Sequence, residues 1–308
     1  IARSSRDPSS PLGTGYAIQQ YFYKLIYKNM IYLAINGFGR IGRQVFKIAF
    51  ENKNIKIVGI NDLTDTKTLA HLLKHDTAYG NYAREVNFNE KNIVVGGKTI
   101  PVFAEKDPSV LPWKKLKVDV VLECTGKFRD RAGVSAHLKA GAKKVIISAP
   151  AKDKDIPTYV RGANCGKVKG EKSLIINNAS CTTNCIAPVM AVLDEKFGIE
   201  KAMMSTVHGY TSDQNLQDGP HKDLRRARAA AENIVPTSTG AAKAVAEVIV
   251  NLKGIFDGVA FRVPVPTCSL SDLTIVLKKN ITKEEVNKAL VAASKTKRFE
   301  GSLFCTEE

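Results

Sequence analysis

No stretch of the chain approaches the roughly 20 consecutive apolar residues of a membrane-spanning helix, although 44% of its 308 residues are hydrophobic. No membrane partner is therefore expected. A disulfide framework is also missing. The six cysteines, at 124, 165, 181, 185, 268 and 305, are scattered through a long chain, several inside apolar runs. That pattern reads as reduced thiols in a cytoplasmic protein. Cys181 and Cys185 form a C-x3-C pair with no second pair and no histidine close by, so no metal site is expected. Basic runs with interleaved aromatics are absent too. A formal net charge of +16 would suit nucleic acid. The lysines are instead dispersed over loops and helices, which fits a surface handling anionic metabolites, and nucleic acid is not expected as the primary partner.

What is present is ordinary globular composition, 25% charged, in a chain long enough for two domains of roughly 150 residues each. Residues 1–29 do not match the rest of the chain. Arg3 to Pro11 is turn-rich without periodicity, Tyr16 to Lys28 is rich in Tyr and Lys, and Met30 directly precedes the first clean strand, Ile31 to Ile35. The expectation is a non-native leader with Met30 as the native start.

Gly37-Phe38-Gly39-Arg40-Ile41-Gly42 comes directly after that strand and opens a helix with Ile41, Val45 and Ile48 on one face. A second strand, Ile55 to Ile60, ends at Asn61-Asp62, and Asp62 lies twenty residues beyond Gly42. Strand, glycine turn, helix, strand and acid together form a dinucleotide-binding fingerprint. Gly37 permits the tight turn, Gly39 lets backbone approach a pyrophosphate, and Gly42 lets helix pack on strand. The helix start would hold the phosphates. Asp62 would accept hydrogen bonds from ribose hydroxyls and repel a 2′-phosphate, favouring NAD over NADP.

The α/β rhythm continues with a helix over Thr66 to Lys74 and short strands over residues 84–103. Next come a buried strand over Val118 to Glu123, a helix over Arg131 to Leu138 and a strand over Lys144 to Ser148. Ligands collect at the C-terminal ends of such strands, which points to Thr125, Gly126 and Ser148. The second half lacks regular intervening helices. It offers a strand over Ala202 to Val207 ending in His208, and a long loop from Gly209 to Asn233 carrying Arg225, Arg226 and Arg228. A helix capped by Thr237 to Ala242 and running to Leu252, strands over Val259 to Val263 and Cys268 to Leu277, and a helix over residues 282–296 complete it. A mostly antiparallel sheet is expected.

Between the halves, Asn178-Ala179-Ser180-Cys181-Thr182-Thr183-Asn184-Cys185 sits after the apolar run Leu174 to Ile176 and before a helical pattern from Thr182 to Lys196. Unpaired amides and the dipole at a helix start lower a thiol's pKa. On position alone a buried, inert thiol is the simpler reading; the nucleotide fingerprint and His208 favour a nucleophile.

Asn-Ala-Ser-Cys-Thr-Thr-Asn-Cys, Gly-Phe-Gly-Arg-Ile-Gly, His208-Gly-Tyr-Thr211, Thr239-Gly-Ala-Ala and Phe261-Arg262-Val263-Pro264 together resemble phosphorylating glyceraldehyde-3-phosphate dehydrogenase of type I. The match runs in register from about residue 31 to the end. The resemblance implies an α/β architecture: a Rossmann doubly wound parallel sheet over residues 30–180, followed by an α+β catalytic domain with a mostly antiparallel sheet over 181–308, incomplete at its C-terminus. It implies NAD-dependent oxidative phosphorylation of glyceraldehyde 3-phosphate through a thiohemiacetal and a thioester, with Cys181 as nucleophile and His208 as base. Thr211 and Arg262 are implied on the substrate phosphate. Ser180, Thr182, Thr239 and Gly240 are implied on the attacking inorganic phosphate, with Arg226 at one of these sites. Cofactor contacts are implied at Gly37, Gly39, Arg40, Ile41, Gly42, Asp62, Thr125 and Ser148, and at Lys106, where many members carry Arg. A homotetramer is implied as well. The alternatives are erythrose-4-phosphate dehydrogenase and a non-enzymatic basic binding protein.

Overall fold

The computed structural model describes residues 30–166 and 171–307; the expected leader lies outside them. Among them two compact units emerge: one from 30–159 with 165–166 and 171–179, the other from 160–164 with 180–307.

In the first unit, β1 (Ile31–Asn36), α1 (Arg40–Glu51), β2 (Ile55–Asn61) and α2 (Thr66–Lys74) open the chain. A small two-stranded ribbon, β3 (His75–Asp76) with β4 (Gly80–Asn81), comes next. Then come β5 (Val86–Asn89), β6 (Asn92–Val95), β7 (Lys98–Phe103), β8 (Val120–Glu123), α3 (Arg131–Lys139), β9 (Lys144–Ile147) and β10 (Ile175–Asn177). The main sheet runs β10-β9-β8-β1-β2-β7-β6-β5. Pairing is parallel from β10 through β7 and antiparallel over the β7-β6-β5 meander.

The reason these strands read as near-continuous apolar runs is that both faces are covered. Leu33, Ile35, Val120 and Leu122 pack into one core with Phe46 of α1, while Ala34, Val121 and Val145 pack into a second with Trp113 and Val134. The buried face of α1 is Gly42, Arg43, Val45, Phe46 and Ala49. Ile41, expected on that face, is instead 43% exposed.

The second unit contains α4 (Cys181–Phe197), β11 (Ile199–Gly209), β12 (Val235–Ser238), α5 (Ala241–Val248), β13 (Phe256–Val263), β14 (Ser269–Leu277) and α6 (Lys283–Ser294). Its sheet runs β12-β13-β11-β14. The β11–β13 pair is parallel; β11–β14 and β12–β13 are antiparallel. A parallel sheet followed by a mixed, mostly antiparallel one matches the expected fold class.

Local details differ from expectation. The first helical residue of α4 is Cys181, not Thr182. Thr237 and Ser238 belong to an edge strand, where Pro236 is tolerated because no neighbour needs its missing N–H. The next helix ends at Val248 and a 3-10 turn covers Val250–Leu252. The β-branched run Val248-Ile249-Val250 disfavours helix, and Ile249 is extended, at φ −124°.

Candidate active site

The chain reaches α4 through Ala179, which adopts a left-handed φ of +57°. Ser180 caps the helix: its Oγ accepts the Thr183 N–H at 3.1 Å and lies 2.7 Å from Thr183 Oγ1. Cys181 is thus the first helical residue, at the positive end of the dipole. Its Sγ lies 3.4 Å from His208 Nε2. The residue is exposed at the surface, yet protein atoms crowd the sulfur. Burial alone would raise the thiol pKa; the His208 ring and the Thr182 hydroxyl and amide outweigh it and hold the pKa below the ordinary value. Cys185, one turn on, is pushed up by burial and by Cys181.

Strand register supplies the next partner. His208 on β11 pairs with Arg262 on β13, and Arg262 Nη1 lies 2.9 Å from His208 Nδ1 and donates to the Gly209 carbonyl at 3.1 Å. Gly209 O is itself 2.6 Å from Nδ1. Nδ1 therefore faces one acceptor and one cation. A proton on Nδ1 donates to the Gly209 carbonyl, and Nε2 is the ring nitrogen that faces the sulfur. Burial lowers the Arg262 pKa, with Arg226 adding to it, and Arg262 Nε is buried without a hydrogen-bond partner.

Arg226 is committed elsewhere. Its Nη1 is 2.5 Å from Asp213 Oδ2, its Nε donates to Thr237 Oγ1 at 2.8 Å, and Nη2 is 3.5 Å from the Ser238 carbonyl. Asp213, which also faces His221 Nε2 at 3.4 Å, does not stand out in the sequence; an acid two residues after Thr211 is its only signal. Thr239 Oγ1 accepts the Ala241 N–H at 3.2 Å. Gly240 starts α5 without a side-chain cap, and a Cβ there would meet nothing within 4 Å. Thr211 is exposed and Thr182 buried.

In the first unit the glycines divide by role. Gly37 has φ +89°, and a Cβ would fall 2.7 Å from Thr125 N. At Gly42 a Cβ would fall 2.1 Å from the Gly37 carbonyl oxygen. At Gly39 it would meet open space. No side chain caps the start of α1, so the first-turn amides at Arg40 and Ile41 remain available to an acceptor. Asp62 Oδ2 accepts the Phe38 N–H at 2.7 Å and Oδ1 accepts the Thr64 N–H at 3.0 Å, so the acid also holds the glycine turn. Arg43 is a residue that sequence reasoning misses: buried, it donates from Nη1 to the Phe38 carbonyl at 3.0 Å. Ser148 N–H donates to the Glu123 carbonyl at 3.0 Å, beside Thr125. Lys106 is exposed. An open glycine, uncapped amides and a half-exposed Ile41 fit a dinucleotide diphosphate. Among the described residues no group of three or more His, Cys, Asp or Glu could hold a metal, and no helix is long and apolar enough to cross a membrane.

Comparison with known proteins agrees with both halves. Residues 31–131 match the family model for the glyceraldehyde 3-phosphate dehydrogenase NAD binding domain, and residues 180–308 match that for its C-terminal domain. Glyceraldehyde-3-phosphate dehydrogenase of Streptomyces coelicolor is 55% identical over 279 residues, 90% of this chain and 83% of the relative. The Geobacillus stearothermophilus enzyme is 56% identical over 276 residues, 90% and 82% of the two chains. Glyceraldehyde-3-phosphate dehydrogenase 2 of Bacillus subtilis is 52% identical over 267 residues, 87% and 78%. With both family domains matched in order and identity above half, the chain belongs to the glyceraldehyde-3-phosphate dehydrogenase family.

Proposed function

We propose that the chain oxidises and phosphorylates D-glyceraldehyde 3-phosphate to 1,3-bisphosphoglycerate in glycolysis, with residues 30–180 holding NAD and 181–308 holding the substrate. The observation that carries the reading is the Cys181–His208 contact at a helix start. The Cys181 thiolate attacks the aldehyde carbon, forming a C–S bond, and the Cys181 N–H faces the developing oxyanion. His208, holding the proton the thiol gave up, passes it to that oxygen to give the thiohemiacetal. His208 Nε2 then takes that hydroxyl proton. NAD, when bound, supplies the hydride acceptor for the oxidation. Inorganic phosphate attacks the resulting thioester, the C–S bond breaks, and Cys181 leaves as thiolate.

Thr211 and Arg262 are assigned to the substrate phosphate. Ser180, Thr182, Thr239 and Gly240, with Arg226 nearby, are assigned to inorganic phosphate. Gly37, Gly39, Arg40, Ile41, Gly42, Asp62, Lys106, Thr125 and Ser148 are assigned to NAD. A cytoplasmic setting is supported by the free thiols of Cys124, Cys181, Cys185, Cys268 and Cys305. A homotetramer is supported by one uncovered face of the second unit's sheet, where Met203 (55% exposed), Val207, Val259, Leu270 and Val276 stand out to solvent. Exposed apolar patches of this kind mark protein contacts.

The test measures NADH absorbance with glyceraldehyde 3-phosphate and with erythrose 4-phosphate, each with and without phosphate. Phosphate-dependent turnover that favours the three-carbon aldehyde is expected. Preference for the four-carbon aldehyde would transfer the assignment to erythrose-4-phosphate dehydrogenase, and no turnover with either would sink it. Light scattering before and after Met203→Lys tests the tetramer; an unchanged mass would remove this face from the interface.

A further inference from the structure

Three adjacent strands of the first unit end on buried polar residues. Asn36 closes β1, Asn61 closes β2 and Glu123 closes β8, and each is at most 4% exposed. Buried groups of this kind are costly unless every partner is present. Each stands directly before part of the NAD site: Gly37, Asp62, and Cys124-Thr125. His137 of α3 and Trp113, the one tryptophan of the chain, complete the group; both are fully buried.

The protons of this network are fixed from both ends by groups that have no choice. At one end the Glu105 backbone N–H donates to Asn61 Oδ1 at 2.9 Å. Asn61 Nδ2 therefore faces the Glu105 carbonyl at 3.0 Å and Asn36 Oδ1 at 2.7 Å. That turns Asn36 Nδ2 toward Glu123 Oε2, at 2.5 Å. At the other end the Trp113 indole N–H, a donor only, meets His137 Nδ1 at 3.1 Å. His137 Nδ1 is therefore bare and its proton sits on Nε2, directed at Glu123 Oε2 at 3.1 Å. The 3.3 Å approach of Asn36 Nδ2 to His137 Nε2 is two donors converging on one oxygen. Thr125 donates to Glu123 Oε1 with its backbone N–H, at 2.8 Å, and with its hydroxyl. Glu123 accepts three N–H groups, from Asn36, His137 and Thr125, and lies beside the Thr125 hydroxyl.

We propose that this amide–carboxylate–imidazole network is the positioning device for the dinucleotide, with Glu123 as its central positioning residue. It ties the glycine turn (through Asn36), the ribose acid (through Asn61), Thr125 and the 105–106 segment into one rigid set. The proposal rests on the reading of this unit as the NAD site. Charge and position make opposite predictions. A buried carboxylate in the same unit opposes binding of an anionic dinucleotide, so if charge governed, neutralising Glu123 would tighten binding. If position governs, neutralising it weakens binding, because Thr125 packs directly against Gly37.

Calorimetry of NAD binding to the full chain decides. Glu123→Gln points an NH2 at existing donors and is expected to raise the Kd about 10-fold or more. Trp113→Phe removes the N–H that fixes the imidazole tautomer and is also expected to raise the Kd. A readout independent of ligand is 15N NMR of the histidine rings, assigned by loss of the signal in His137→Gln. A bare Nδ1 and a protonated Nε2 are expected in the wild type, and a mixed population in Trp113→Phe. If Glu123→Gln does not fold, Trp113→Phe and the wild-type spectrum still decide. Tighter or unchanged NAD binding in the folded variants, or a wild-type proton on Nδ1, overturns the proposal while NAD still binds. A wild type that binds no NAD overturns the nucleotide reading beneath it.

Discussion

The sulfur of Cys181 lies 3.4 Å from Nε2 of His208, and the two groups reach each other from a helix start and a strand end. Because the ring and Thr182 overcome burial and lower the thiol pKa, the thiolate persists to lower pH than in an ordinary cysteine. Alkylation by iodoacetamide should therefore fall only as pH drops through that lowered value. In His208→Asn the inflection should move up in pH. Cys181→Ser should lose turnover by on the order of 10³-fold or more, measured by NADH formation; a variant retaining full activity would refute the mechanism.

Gly39 and Gly42 should respond differently to alanine. Gly39→Ala places a methyl in open space, so its melting temperature should stay close to wild type while NAD affinity falls. Gly42→Ala drives a methyl to 2.1 Å from the Gly37 oxygen. Helix and turn must separate, and about 1–3 kcal/mol of stability should be lost together with NAD binding. Thermal melts and calorimetry on both variants check the contrast.

Arg262 contacts His208 and Gly209 besides its assigned substrate role. Arg262→Leu should lower kcat/KM for glyceraldehyde 3-phosphate by about 10²-fold. The alkylation profile of Cys181 should shift as well, because Arg262 borders the imidazole. A change confined to KM would limit Arg262 to phosphate binding.

Asp223 sits at the start of a 3-10 turn in the long loop. The Arg225 side chain first, against the opposing effect of burial and helped by the Arg225 amide and Thr237, holds its carboxyl at about 2. The folded pKa is depressed, so the contribution to loop order is complete above the unfolded value of about 3.9. It is lost as pH falls toward 2. Hydrogen exchange of residues 219–237 should speed up over that window, and Asp223→Asn should remove the pH dependence.

Much of the first unit was legible because its signals are local. Gly37, Gly39 and Gly42 are spaced by chain geometry, and Asp62 ends a strand whose alternation is visible. The start of α4 was legible from Ser180 and the apolar period beyond it. Hidden features depended on partners distant in the chain. Pro236 concealed an edge strand. Ile41 shares a helical period with Val45 and Ile48 yet is exposed. Arg43, Asp213, Asn36 and Glu123 carry no unusual local pattern; burial and hydrogen bonds across 5 to 101 residues of sequence define them.

The sequence by itself determined the strand–turn–helix–strand opening of the first unit, the glycine turn and, to within one residue, the start of the helix after Ser180, because dihedral preferences and hydrophobic periods act over a few residues. Tertiary structure decided which side chains meet. Register on β11 and β13 set His208 against Arg262, and the β1–β8 pairing set Asn36 opposite Glu123. These are non-local pairings, fixed only when the sheet closes and buried polar groups must find their donors.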